Sequence, residues 1–151
     1  MRRGVCLLIA AVAVAGCGGS GDGRLSRGEY EARLRSAFAA AHAELDPQPQ
    51  PAGSIALLTR IGNAYGDVAK ALDRLRVPAN VQALNDRLSA AAAARAATLK
   101  RLVAKLGPAS ADERRRLLAE YDTSQLGADD FDAAVDALTA KGYEFRPSGG
   151  T

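Results

Sequence analysis

Apolar residues recur along this chain at helical spacing, and the polar residues between them fall on the opposite faces. Tyr30, Leu34, Ala37, Phe38, Ala41 and Leu45 form one stripe, and the spacing predicts a first helix from Arg27 to Leu45. Ser26-Arg27-Gly28-Glu29 opens it as a capping box. Leu25 and Tyr30 stand where a hydrophobic staple would close. Three prolines at alternate positions in Asp46-Pro47-Gln48-Pro49-Gln50-Pro51-Ala52-Gly53 cannot continue a helix and predict a stiff connector. Ser54 then caps a second helix whose Leu58, Ile61, Tyr65, Val68, Leu72 and Leu75 keep a heptad-like seam. Val77-Pro78 breaks that run, and so short a joint implies an antiparallel hairpin.

The third helix is expected from Ala79 to Leu106, burying Val81, Leu84, Leu88, Ala91, Ala92, Leu99, Leu102, Val103 and Leu106. Its alanine-dense stretch from Ser89 to Ala97 lets a neighbouring helix approach closely. Gly107-Pro108 should end it, with the glycine in the position after the helix. A second capping box, Ser110-Ala111-Asp112-Glu113, starts a fourth helix with Leu117, Leu118 and Tyr121 facing inward and Arg114-Arg115-Arg116 outside. A break around Gly127 precedes a last amphipathic segment carrying Phe131, Ala134, Val135 and Leu138, which Gly142 ends. No stretch alternates as a strand does. The expectation is an all-α fold, an antiparallel bundle of four main helices with the fourth broken in two, spanning residues 26–145 and followed by a disordered tail at 146–151.

The N-terminus follows another logic. Met1-Arg2-Arg3 is a short basic stretch, Val5 to Ala15 is apolar, and Ala15-Gly16 puts small residues before Cys17, the order of a processing signal. The apolar run is shorter than the about 20 residues a membrane-spanning helix needs. Val14-Ala15-Gly16-Cys17 resembles the lipobox of bacterial lipoproteins, and the chain as a whole is similar to small Ala- and Arg-rich actinobacterial members of that group. Leu25-Ser26-Arg27-Gly28-Glu29-Tyr30 is comparable to the start of the mature domain in some of them. The resemblance implies a signal peptide at 1–16, a diacylglycerol joined to the Cys17 sulfur, and a domain held at the outer face of the cytoplasmic membrane. Two acyl chains suffice for stable anchoring. Residues 17–25, rich in glycine, would be the lipidated cysteine and a flexible tether reaching roughly 15 Å.

Charge and composition sharpen this reading. The 151-residue chain has a net charge of +3, but losing Arg2 and Arg3 leaves 18 basic against 17 acidic residues. A mature charge of +1 gives a nucleic-acid partner no electrostatic support. Cys6 would leave with the signal peptide and Cys17 would carry lipid, so no disulfide is expected. Arg24, Arg27, Arg33 and Arg35 follow the tether and could meet anionic lipid or simply be solvated.

Candidate chemistry is sparse. His42 is the single histidine, and without free cysteines a zinc site has too few ligands. Asp122, Ser124, Gly127, Asp129, Asp130 and Asp132 suggest a calcium loop, but Leu126 and Ala133 occupy positions that need oxygen ligands. No nucleophile has an identifiable base, and no phosphate-binding glycine loop is present. No enzyme activity, metal or cofactor is expected. Arg95 stands out because it falls on the apolar stripe of the third helix. It either snorkels to water or, with Tyr65, serves an anionic small ligand in a pocket between helices. The leading expectation is a non-enzymatic interaction module that meets an envelope protein through a helix face.

Overall fold

A computed structural model describes residues 23–45, 54–121 and 128–145. These are all-helical, with five α-helices and no strand among the described residues: α1 Arg27–Leu45, α2 Ile55–Asp73, α3 Gln82–Leu106, α4 Ala111–Glu120 and α5 Ala128–Ala140. A 3-10 turn at Ala79–Val81 leads into α3. None of the described helices is long and apolar enough to cross a membrane. The expected signal peptide, Cys17, the 46–53 connector and the expected tail at 146–151 lie outside the described residues.

Local signals set the helix ends. The Glu29 carboxylate accepts from the Ser26 backbone N–H at 2.8 Å and from its hydroxyl at 2.7 Å, the reciprocal arm of a capping box. The Ser54 and Ser110 hydroxyls accept from Leu57 N–H and Glu113 N–H. Gly142, at φ +84°, ends α5. Tyr143 N–H reaches Leu138 O and Gly142 N–H reaches Thr139 O, the paired bonds of a left-handed glycine cap.

Three ends differ from expectation, the first being the start of α3 at Gln82, after the 3-10 turn, and not at Ala79. α2 stops at Asp73, so Leu75 belongs to the turn and not to the helical seam. Pro78 excludes helix from the residue before it, and the chain leaves helical geometry early enough to bury Val77. Gly107 keeps right-handed helical angles. Arg114 instead closes that end, donating from Nε to Leu106 O at 2.9 Å and from Nη2 to Gly107 O at 3.0 Å.

Arginine repeats this role elsewhere, and for Arg27 and Arg35 it replaces the solvated or lipid-facing charge that the sequence suggested. Arg60 donates to Glu44 O at the end of α1. Arg27 and Arg35 reach Gly142 O and Glu144 O beyond α5. The last carbonyls of a helix lack intrahelical partners and carry its negative pole, and a guanidinium supplies several donors at fixed geometry. Part of the arginine content therefore ties one helix to the end of another.

Packing orders the helices. The α2 and α3 pair makes the most extensive contact, running antiparallel: Gly62 faces Leu99, Gly66 faces Ala96, Ser89 bonds Ala69 O, and Asn85 bonds Leu72 O. α1 covers α2, and α5 covers the same half of α3. Their shared core contains Tyr30, Leu34, Val68, Leu72, Leu88, Phe131 and Leu138. A second, smaller core around Leu58, Leu99, Leu102 and Leu106 lies toward the other end, where α4 adds only the half-buried Leu117, Leu118 and Tyr121. Tyr65 packs against both cores.

Candidate functional site

The junction between the two cores holds the most unusual side chain of the molecule. Arg95 occupies the inward stripe of α3, half-buried, with Cζ 4.4 Å from the centroid of the Tyr65 ring. Tyr65 meets Phe131 edge-on at 5.3 Å, Phe131 meets Phe38 edge-on at 6.0 Å, and Phe38 stacks on Phe145 at 5.7 Å. These rings join α2, α5, α1 and the segment after α5. The quadrupole of the terminal ring receives the charge.

Two polar atoms at this junction are buried without a hydrogen-bond partner, Nε of Arg95 and the hydroxyl of Tyr121. Burial pushes the Tyr65 and Tyr121 hydroxyls above the ordinary phenol range, while the Arg95 charge pulls both back part of the way. Both rings therefore stay neutral at physiological pH. The group can donate hydrogen bonds and attract negative charge, but its described members include no general base. Arg95 and Tyr65 are brought together as their positions on facing seams implied. Tyr121 completes the group.

The open volumes lie beside this junction. A cavity of about 180 Å³ is lined by Phe38, Ala41, Leu45, Val68, Phe131 and Tyr65, with the exposed His42 at its rim. A groove of about 790 Å³ runs along the outer α2–α3 contact, floored by Gly62, Gly66 and Ala96 and edged by Arg60, Lys70 and Lys100. Arg95 lines neither.

Among the described residues no group of three His, Cys, Asp or Glu side chains could hold a metal ion. Asp129, Asp130 and Asp132 are exposed, and Asp130 pairs with Arg87 at 3.5 Å. Asp122, Ser124 and Gly127 fall outside the described residues, as does Cys17.

Sequence patterning missed Asn85, Tyr143 and Phe145. Asn85, the buried polar residue of the core, accepts from the Tyr30 hydroxyl at 3.1 Å and donates to Leu72 O at 3.3 Å. It sits one residue after Leu84 and three before Leu88, a helical spacing that an apolar count passes over. Tyr143 and Phe145 are buried behind the glycine cap, where a hydrophobic contact commonly follows. No protein-family model, curated protein or solved structure matches this chain, so the functional reading rests on its own residues.

Proposed function

We propose that the mature chain is a lipid-anchored extracytoplasmic module without enzymatic activity, in which α1, α2, α3 and α5 form an antiparallel four-helix bundle and α4 is a side helix. The observation that carries this reading is Val14-Ala15-Gly16-Cys17 at the end of a short apolar run, with the helical body starting at Arg27. Cys17 is the lipid attachment point. The bundle is displayed at the outer face of the cytoplasmic membrane, where a helix face meets an envelope protein. Supporting the interaction role, the outer α2–α3 groove has only Glu44 of α1 at its margin and is edged with charge from Arg60, Lys70 and Lys100. Replacing Cys17 by Ala moves the protein from the detergent-rich to the aqueous phase on detergent partitioning. An unchanged distribution removes the anchor.

A second reading, a binder of a small anionic ligand, is favoured by the unpartnered Arg95 Nε and Tyr121 hydroxyl. Isothermal titration with small carboxylates tests it: binding that disappears in Arg95→Met supports the site, and no heat with any carboxylate discards it.

A further inference from the structure

We propose that the end of the helical body formed by the α2–α3 turn rests against anionic phospholipid headgroups, through Arg74, Arg76 and Lys141. This surface rests on the lipid-anchor reading of Cys17.

The point where the chain enters the folded body is fixed. Leu25 N–H bonds Arg76 O at 2.7 Å, and Arg24 Nη1 bonds Val77 O at 3.0 Å. Gly23, at φ +70°, lies so near the turn that a Cβ there would stand 3.4 Å from Arg76 Nη1. Six Cα–Cα steps separate Cys17 from Gly23, at most about 22 Å of chain. α3 alone, at 25 residues, is about 37 Å long. A lipid on Cys17 therefore holds the α2–α3 turn, and not the α4 end, nearest the bilayer.

Charge at that end selects the contact residues. Of the arginines that follow the tether, Arg24 is engaged on Val77 O and Gln82 Oε1, Arg27 on Glu31 and Gly142 O, and Arg35 on Glu144 O, while the exposed Arg33 lies more than a turn along α1 from the entry point. Arg74, Arg76 and Lys141 are exposed, and their side chains make no hydrogen bond or ion pair with any described residue. Asp73 beside Arg74 and Glu144 three residues after Lys141 are the carboxylates next to them in sequence, and Asn80 bonding the Tyr143 hydroxyl at 3.4 Å brings the end of α5 to this turn, so the three basic groups outnumber the two acids. Each basic residue at an anionic surface strengthens partitioning roughly fivefold, and the attraction fades beyond a Debye length of about 10 Å. The contact therefore needs the short tether to bring it within range.

The test uses the lipidated full-length product in vesicles of phosphatidylglycerol and phosphatidylcholine, with phosphatidylcholine alone as reference. With Cys6 removed and Cys17 blocked as a thioether, a single introduced cysteine is the only thiol to label. Ala79→Cys marks the turn and Ala104→Cys the opposite end, both exposed positions. A spin label at 79 should show headgroup contact in the anionic vesicles and one at 104 should not. The double change Arg74→Glu and Arg76→Glu should reduce the contact at 79 at least tenfold, and so should 1 M salt, with the circular dichroism unchanged.

Equal exposure at 79 and 104, or indifference to phosphatidylglycerol or to the charge reversal, overturns the surface while leaving the anchor intact. Intact mass separates the two ideas: a chain lacking diacylglycerol on Cys17 overturns both.

Discussion

The guanidinium of Arg95 lies over the ring of Tyr65, Cζ to centroid 4.4 Å, at the junction where the two hydrophobic cores meet. Such a contact is worth about 0.5–2 kcal/mol, set against the cost of leaving Nε buried without an acceptor. Replacing a buried charge by an apolar side chain of similar length is often neutral or stabilising. Arg95→Met should therefore change stability by less than about 1 kcal/mol, whereas Tyr65→Ala, which opens both cores, should cost about 3 kcal/mol. Urea unfolding of the two variants checks the order. An Arg95→Met variant as damaged as Tyr65→Ala would mean that the arginine carries structure.

Tyr30, Asn85 and the Leu72 carbonyl form a buried relay. Asn85→Leu strips the acceptor from the Tyr30 hydroxyl and the donor from Leu72 O, at a cost of about 1–3 kcal/mol for the stranded groups. Burial raises the Tyr30 hydroxyl well above the ordinary phenol range. A raised folded-state pKa contributes stability that is fully present below the unfolded value near 10 and lost as pH rises through the folded one. Alkaline unfolding should thus begin above about pH 10, with tyrosinate absorbance appearing together with loss of helix. Absorbance rising smoothly while the helix signal holds would contradict the sealed relay.

At the α2–α3 contact, two glycines four residues apart answer the alanine-dense face of the partner. A Cβ on Gly62 would stand 3.3 Å from Leu99 Cβ, while one on Gly66 would stand an ordinary 3.8 Å from Ala96 Cβ. Gly62→Leu should cost about 1–3 kcal/mol through overpacking. Gly66→Ala should gain up to about 1 kcal/mol from helix propensity. Thermal melts of the pair should move in opposite directions, and a common sign would refute the close approach.

Acid acts on the N-terminus of α1. Backbone and hydroxyl hydrogen bonds from Ser26 hold the Glu29 carboxyl below its usual range, and the Arg27 hydrogen bond does the same for Glu31. Depressed carboxyl values stabilise the fold above the unfolded pKa and lose that contribution as pH falls through the folded one. Between about pH 5 and pH 3, amide exchange in the first turn of α1 should quicken before that of α3. Glu29→Gln should flatten this dependence, and exchange that quickens in α3 first would contradict the assignment.

Much of the helical layout was legible because the deciding signals are local. Ser26, Ser54, Ser110 and Gly142 mark ends through bonds to residues three to five positions away, and the stripes of α1, α2, α3 and α5 name their own buried faces. The role of the arginines was not legible. Arg27, Arg35, Arg60 and Arg114 bond carbonyls whose position depends on how other helices pack, so sequence spacing offers only an exposed charge. Arg95 was conspicuous as a charge on an apolar stripe, and Tyr65 as an aromatic on the facing seam. Tyr121, beyond the end of α4, joins them only through the tertiary path of the chain. Asn85 was hidden by the opposite error, a polar residue counted as outside because its hydrogen bonds are long-range.

The claim on which location and orientation depend is a thioether at Cys17, and the intact mass of the protein isolated from its native membrane addresses it directly. The expected result is a chain that begins at Cys17 and carries the mass of a diacylglycerol, with or without a further acyl group. A polypeptide recovered from the medium with a different first residue and no lipid mass would contradict the account.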